Sequence, residues 1–193
     1  MQQTIYQLKL TLRGIRPPIW RRIETPATVS LFDLHRTLQA AMGWTDTHLH
    51  QYIQDGVYYG PPDREFGQDI VSERRTLLKD VLNRPKARLL YEYDFGDGWE
   101  HDVILEAIID ADPAAKYPRV TGGRRSCPPE DSGGPYRYPE IIAALDDARH
   151  PEHESMREWV GEHFAPERFD LVTANDRLSR RRASSRRDAY LAG

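Results

Sequence analysis

The sequence predicts an α+β protein, with antiparallel β-hairpins covered by helices. Three observations carry that expectation. Residues 4–13 alternate, with Tyr6, Leu8, Leu10 and Leu12 on one side and Gln7, Lys9 and Thr11 on the other, the pattern of a half-buried strand. Leu89–Ile109 reads as two long strands around Gly96-Asp97-Gly98, residues that tolerate the positive φ of a tight turn. Between such strands lie stretches whose apolar residues recur at helical spacing.

In chain order, Gly14–Pro18 turns the first strand into a second, Ile19–Thr25. Ser30 is an N-cap candidate, with Asp33 three residues on. Leu31, Leu34, Leu38, Ala41 and Met42 form one helical stripe, which Gly43 ends. Asp55-Gly56 between His48–Gln54 and Val57–Gly60 is a two-residue hairpin signal. Pro61–Arg75 is polar and reads as a loop. Thr76 is placed to cap a short helix carrying Leu77, Leu78, Val81 and Leu82, before the central hairpin. The order β-β-α-β-β-α-β-β indicates an antiparallel-rich domain, and its opening half resembles a β-grasp arrangement. Asp110–Pro139 holds six prolines and four glycines and reads as one long loop. Pro139 and Pro151 each open a helix, giving a helical C-terminal segment. Residues 166–178 read as a docked extension, so 1–178 forms a single domain and 179–193 a flexible Arg-rich tail.

Composition narrows the function classes. No run of eighteen apolar residues exists, so the sequence predicts no membrane span. The first residues alternate like a strand and lack the apolar core of a secretion signal. One cysteine, Cys127, excludes an internal disulfide and suits a reducing cytoplasm. The net charge of −3 is unevenly spread: residues 177–193 carry +5 and the body −8. An acidic body is a poor nucleic-acid surface. Nucleic acid would therefore meet Arg180, Arg181, Arg182, Arg186 and Arg187 in the tail.

The central hairpin is the predicted centre of a site. Its first strand puts Leu89, Tyr91, Tyr93 and Phe95 on one face, and the return strand puts Trp99, His101, Val103, Leu105, Ala107 and Ile109 on one face. Asp94, Asp97, Glu100, His101 and Asp102 are expected to crowd one end of it. Such a cluster could bind a cation or do acid–base work, although Asp97 between two glycines also serves the turn itself. His48 and His50, two apart on an expected strand, would share a face and with His101 could hold a divalent metal. No CxxC or HExxH pattern accompanies them. Cys127 could serve as a nucleophile, but two prolines follow it and no helix N-terminus starts there to acidify it. Glu130 and Asp131 are acceptors for loop N–H groups, and Gly133-Gly134 permit a bend. Trp20, Trp44, Trp99 and Trp159 are expected in the core or at its edge.

The blocks YDFGDGWEH (Tyr93–His101) and CPPEDSGGP (Cys127–Pro135) resemble the two signature blocks of the plasmid pRiA4b ORF-3-like family. Arg16–Pro26, Leu34–Trp44, His48–Tyr52 and Phe169–Leu178 match its pattern in the same order. The resemblance implies a bacterial or archaeal protein linked to plasmids or mobile elements, some relatives being labelled transposon passengers with a resolvase-like name. No serine-recombinase pattern is present here. The resemblance also implies cysteines at two places where this chain has Val120 and Ser132, so a cysteine-based metal site would be incomplete. Arg137 stands where relatives carry glycine, and Tyr136 keeps an aromatic.

These readings predict a cytoplasmic, non-catalytic binding or adaptor module for a small polar ligand or a protein. Its cleft would lie where Tyr93, Asp94, Asp97, Trp99, Glu100 and His101 meet Cys127, Glu130, Asp131 and Tyr136. No cofactor is required by the sequence. The rival expectation is a metal-dependent enzyme using His48, His50, His101 and the hairpin acids.

Overall fold

The structure is a computed structural model that describes residues 2–61 and 70–180. The elements are β1 (Thr4–Leu12), β2 (Trp20–Pro26), α1 (Leu31–Met42), β3 (His50–Gln54), β4 (Val57–Gly60), β5 (Ile70–Ser72), α2 (Leu78–Val81), β6 (Arg88–Tyr93), β7 (Trp99–Asp110), β8 (Arg119–Arg124), α3 (Gly134–Asp146) and α4 (His153–Val160). A last helix, α5, spans 171–180.

Eight strands form one sheet in the order β5-β4-β3-β6-β7-β1-β2-β8. Every pairing is antiparallel except β4 with β5, so the fold is α+β as the hairpin pattern predicts. The hairpin-helix-strand order of the first half is present as β1-β2-α1-β3, and β1 lies between β2 and β7.

The sheet has one dry and one wet face. Leu8, Leu10, Leu89, Tyr91, Tyr93, Trp99, His101, Val103 and Leu105 are buried together on the dry face. On the wet face Arg22 bonds Glu106 at 2.6 Å, and Lys9 and Arg22 lie over the half-buried Trp20. Helix α1 covers the dry face through its stripe Leu31, Leu34, Leu38, Ala41 and Met42. Ser30 Oγ accepts the Asp33 N–H at 3.0 Å, a cap worth about 1 kcal/mol. Gly43 closes α1 with φ 105°, which a side chain resists. From the other end of the chain, Ala174 and Leu178 of α5 join the same core.

Several local expectations are corrected, among them the polar stretch Pro61–Arg75, read as a loop, where Ile70–Ser72 forms β5 by pairing with β4. The long loop 110–139 contains a strand, β8. Its RVTGGR sequence has no apolar alternation, and pairing with β2 makes it a strand. Helix α3 starts at Gly134 rather than Pro139: Pro135 takes the helix opening, and Pro139 sits inside the helix. Leu77, not Thr76, is the N-cap of α2; the Asp80 carboxylate accepts the Leu77 N–H, and Thr76 Oγ1 donates to the Ser72 carbonyl instead. Trp159 is 45% exposed, because α4 packs on α3 and turns its other faces to solvent. The expected tail begins inside α5, which includes Ser179 and Arg180; Arg181, Arg182, Arg186 and Arg187 lie outside the described residues. No described helix is long and apolar enough to cross a membrane.

Candidate functional site

β6 ends at Tyr93, and Asp94 turns the chain out of the strand with φ 56°. Asparagine and aspartate tolerate this left-handed corner. Asp94 Oδ1 secures it by accepting the N–H groups of Gly96 (3.1 Å) and Asp97 (3.3 Å). Asp131 sits in the same conformation, also at φ 56°, in the second signature block. Two left-handed corners thus present two carboxylates.

The two blocks meet directly. Asp97 Oδ2 accepts the Gly133 N–H at 3.0 Å. Tyr93 Oη donates to Glu130 Oε1 at 3.1 Å and accepts the Thr47 N–H at 3.1 Å. Glu130 Oε1 also takes the Thr45 N–H at 2.8 Å, and Trp44 Nε1–H donates to the Pro128 carbonyl at 3.0 Å. The connection after α1, residues 44–48, is therefore tied between hairpin and loop. Burial, with Glu130 beside it, keeps the Tyr93 hydroxyl protonated by pushing its pKa up.

At the rim of this junction His48 meets both carboxylates. Its Nε2 lies 3.1 Å from Asp131 Oδ1 and 3.7 Å from Asp94 Oδ2. One ligand atom from each of the three residues falls within 4.8 Å of the others, a span one cation can bridge. Asp94 is only 6% exposed, whereas Asp131 reaches solvent. The His48 ring is held edge-on to Tyr93. One imidazole and two carboxylates suit manganese, iron or zinc, and three protein ligands leave coordination positions open.

Other expected members lie elsewhere. His48 precedes β3, so His48 and His50 do not share a strand face. His50 Nε2 bonds the buried Glu73 at 2.7 Å, and its ring stacks on His35 at 3.4 Å. His101 is sealed between Trp44 and Tyr91, and burial lowers its pKa to about 3. Its Nδ1–H donates to the Tyr91 carbonyl, while Nε2 has no partner among the described residues. Trp99 is core. Glu100 and Asp102 point to the wet face, where Arg13 clamps them at 2.8 and 2.7 Å. Period two dictates this: they alternate with the buried Trp99 and His101. Phe95 leaves the strand and is about half exposed. Tyr136 is 92% exposed and stacks on no ring among the described residues. Burial pushes the Cys127 thiol up despite nearby Arg21, which makes it a poor nucleophile.

The sequence reading missed Glu73, Asp46 and Arg21. His35 bonds Asp46 at 2.6 Å and Tyr91 Oη at 2.8 Å, extending the buried histidine pair into a network. No local motif marks residues this far apart. Arg21 carried a usable signal, since it stands two residues from the inward-facing Ile23 and so shares its face.

A family model described as "Plasmid pRiA4b ORF-3-like protein" matches residues 4–173. The chain is 40% identical over 176 residues to "Uncharacterized protein y4hQ" of Sinorhizobium fredii, covering 91% of this chain and 88% of that protein. It is similar to the crystal structure of MM3350, a protein of unknown function from Methanosarcina mazei. The TM-score is 0.80 at 39% identity, over 89% of this chain and 98% of that one. Both signature blocks fall within the matched residues, and the chain belongs to the plasmid pRiA4b ORF-3-like family.

Proposed function

We propose that this chain is a cytoplasmic binding module of mobile-element origin that holds a divalent cation at His48, Asp94 and Asp131. The ion's open positions would take oxygen atoms of a small polar ligand. The observation that supports this reading is the convergence of three ligand atoms within 4.8 Å where the two signature blocks meet. Asp94 supplies a carboxylate fixed by its own turn, and Asp131 an accessible one. The metal-enzyme alternative built on His48, His50 and His101 is disfavoured: His50 is bonded to Glu73 and His101 is sealed in the core.

Isothermal titration of the full chain with MnCl2 and ZnCl2 tests the proposal. We expect one saturable site, weakened at least tenfold by His48→Ala and by Asp131→Asn. Absence of saturable binding, or unchanged binding by the His48→Ala protein, would overturn it.

A further inference from the structure

A second feature borders the Cys127–Glu130 segment. There the C-terminal end of α1, the segment Ser126–Glu130 and residues 160–177 enclose a groove of about 480 Å³. Arg21 lines it, although the residue is only 2% exposed. Its Nε donates to the Ala41 carbonyl at 3.1 Å, and its Nη1 to the carbonyls of Trp20 (2.8 Å) and Arg124 (3.0 Å). Phe169 stacks on the guanidinium with its ring centre 4.4 Å away. Nη2 has no partner among the described residues.

The charge balance is what sets Arg21 apart. Arg13, Arg22, Arg119 and Arg125 each meet a carboxylate. Arg21 is at least as buried as any of them and meets none among the described residues. Carbonyl dipoles solvate a guanidinium but do not neutralise it, and a buried charge without a counter-charge is costly.

A second arginine reinforces the imbalance. Arg177 of α5 lies flat against Gly43, where an added Cβ would sit 2.6 Å from its Nη1. The missing side chain at the α1 C-cap thus makes room for it. Arg177 also lines the groove and has no ion pair among the described residues. Burial lowers the pKa of Arg21 to about 10, and the like charge of Arg177 adds a smaller push in the same direction. Two acids share the lining, but Glu130 is bonded to Thr45 and Tyr93, and Asp170 faces Arg168 at 3.6 Å.

We propose that this groove is a binding site for a compact oxyanion, a phosphate or carboxylate group held between Arg21 and Arg177. Guanidinium forks match both groups in shape and charge. Trp44 and Phe169 offer apolar surface to the rest of such a molecule. The site is separate from the His48 cluster and does not depend on a cation there.

Thermal unfolding of the full chain at constant ionic strength tests this, with sodium phosphate or sodium citrate replacing sodium chloride. A specific anion stabilises the native state in proportion to its occupancy. We expect a saturable rise in Tm of several degrees with at least one of the two probes, and which probe works distinguishes phosphate from carboxylate. Arg177→Gln, at an exposed helical position, should abolish the rise while leaving the Tm in chloride unchanged or higher. His48→Ala should keep the rise. No shift with either probe by 10 mM, or a shift of equal size in the Arg177→Gln protein, would overturn the proposal.

Discussion

Gly134 and Asp97 touch so closely that a Cβ on Gly134 would overlap the Asp97 carbonyl oxygen. Gly134 also has φ +76°, where a side chain is strained in any surroundings. The contact is to backbone, which cannot swing aside. It locks the hairpin turn against the start of α3 and so fixes how the two signature blocks meet. Gly134→Ala is expected to destabilise the fold by about 2–4 kcal/mol, combining left-handed strain with the overlap. The midpoint of urea unfolding measures this, and a loss below 0.5 kcal/mol on that scale would show that the junction yields easily.

His101 makes stability depend on acid. Its folded pKa is about 3 against an ordinary 6.5. Between those values the unfolded chain takes up a proton that the folded chain refuses. Stability from this residue is therefore complete above pH 6.5 and falls as the pH is lowered towards 3. The full loss is on the order of 5 kcal/mol, at 1.36 kcal/mol for each pH unit. His35, also lowered by burial, acts with the same sign. His101→Phe should narrow the difference in unfolding free energy between pH 7 and pH 4.5. An unchanged difference would mean that His101 is protonated in the folded protein.

The bond between His50 and Glu73 has both partners buried. Removing one partner leaves the other desolvated and alone. Glu73→Ala is expected to cost about 3 kcal/mol. It should also disturb the His35–His50 stack, seen as shifts of the imidazole proton resonances. A variant as stable as the parent would show that the carboxylate contributes nothing net.

Arg13 offers the opposite case. It is 44% exposed in its pairs with Glu100 and Asp102, so solvent screens the attraction. Arg13→Ala should cost less than about 1 kcal/mol, and Glu100→Gln should leave cation binding unchanged. Weakened cation binding by Glu100→Gln would place that acid in the site after all.

Much of this was legible in the sequence. The hairpins, the α1 caps Ser30 and Gly43 and the Asp55-Gly56 turn follow from local backbone preferences, which act over a few residues. β8 was not legible, since its glycines become a strand only when β2 supplies a partner. The candidate site was half legible. His48, Asp94 and Asp131 were each expected near it, but their combination was not. Alternation suggested that His48 pairs with His50, whereas the strand begins only at His50 and frees His48 to turn towards the acids. Glu100 could have been excluded by the same alternation that buries Trp99 and His101. The Arg21 groove depends on the contact between Arg21 and Phe169, a separation no periodicity reveals.

Paramagnetic broadening of amide resonances by sub-stoichiometric Mn2+ is the most direct check on the account. If His48, Asp94 and Asp131 hold the ion, the amides of 47–49, 94–97 and 131–133 should vanish first, and His48→Ala should restore them. Broadening spread across the acidic surface, or centred away from these three segments, would contradict it.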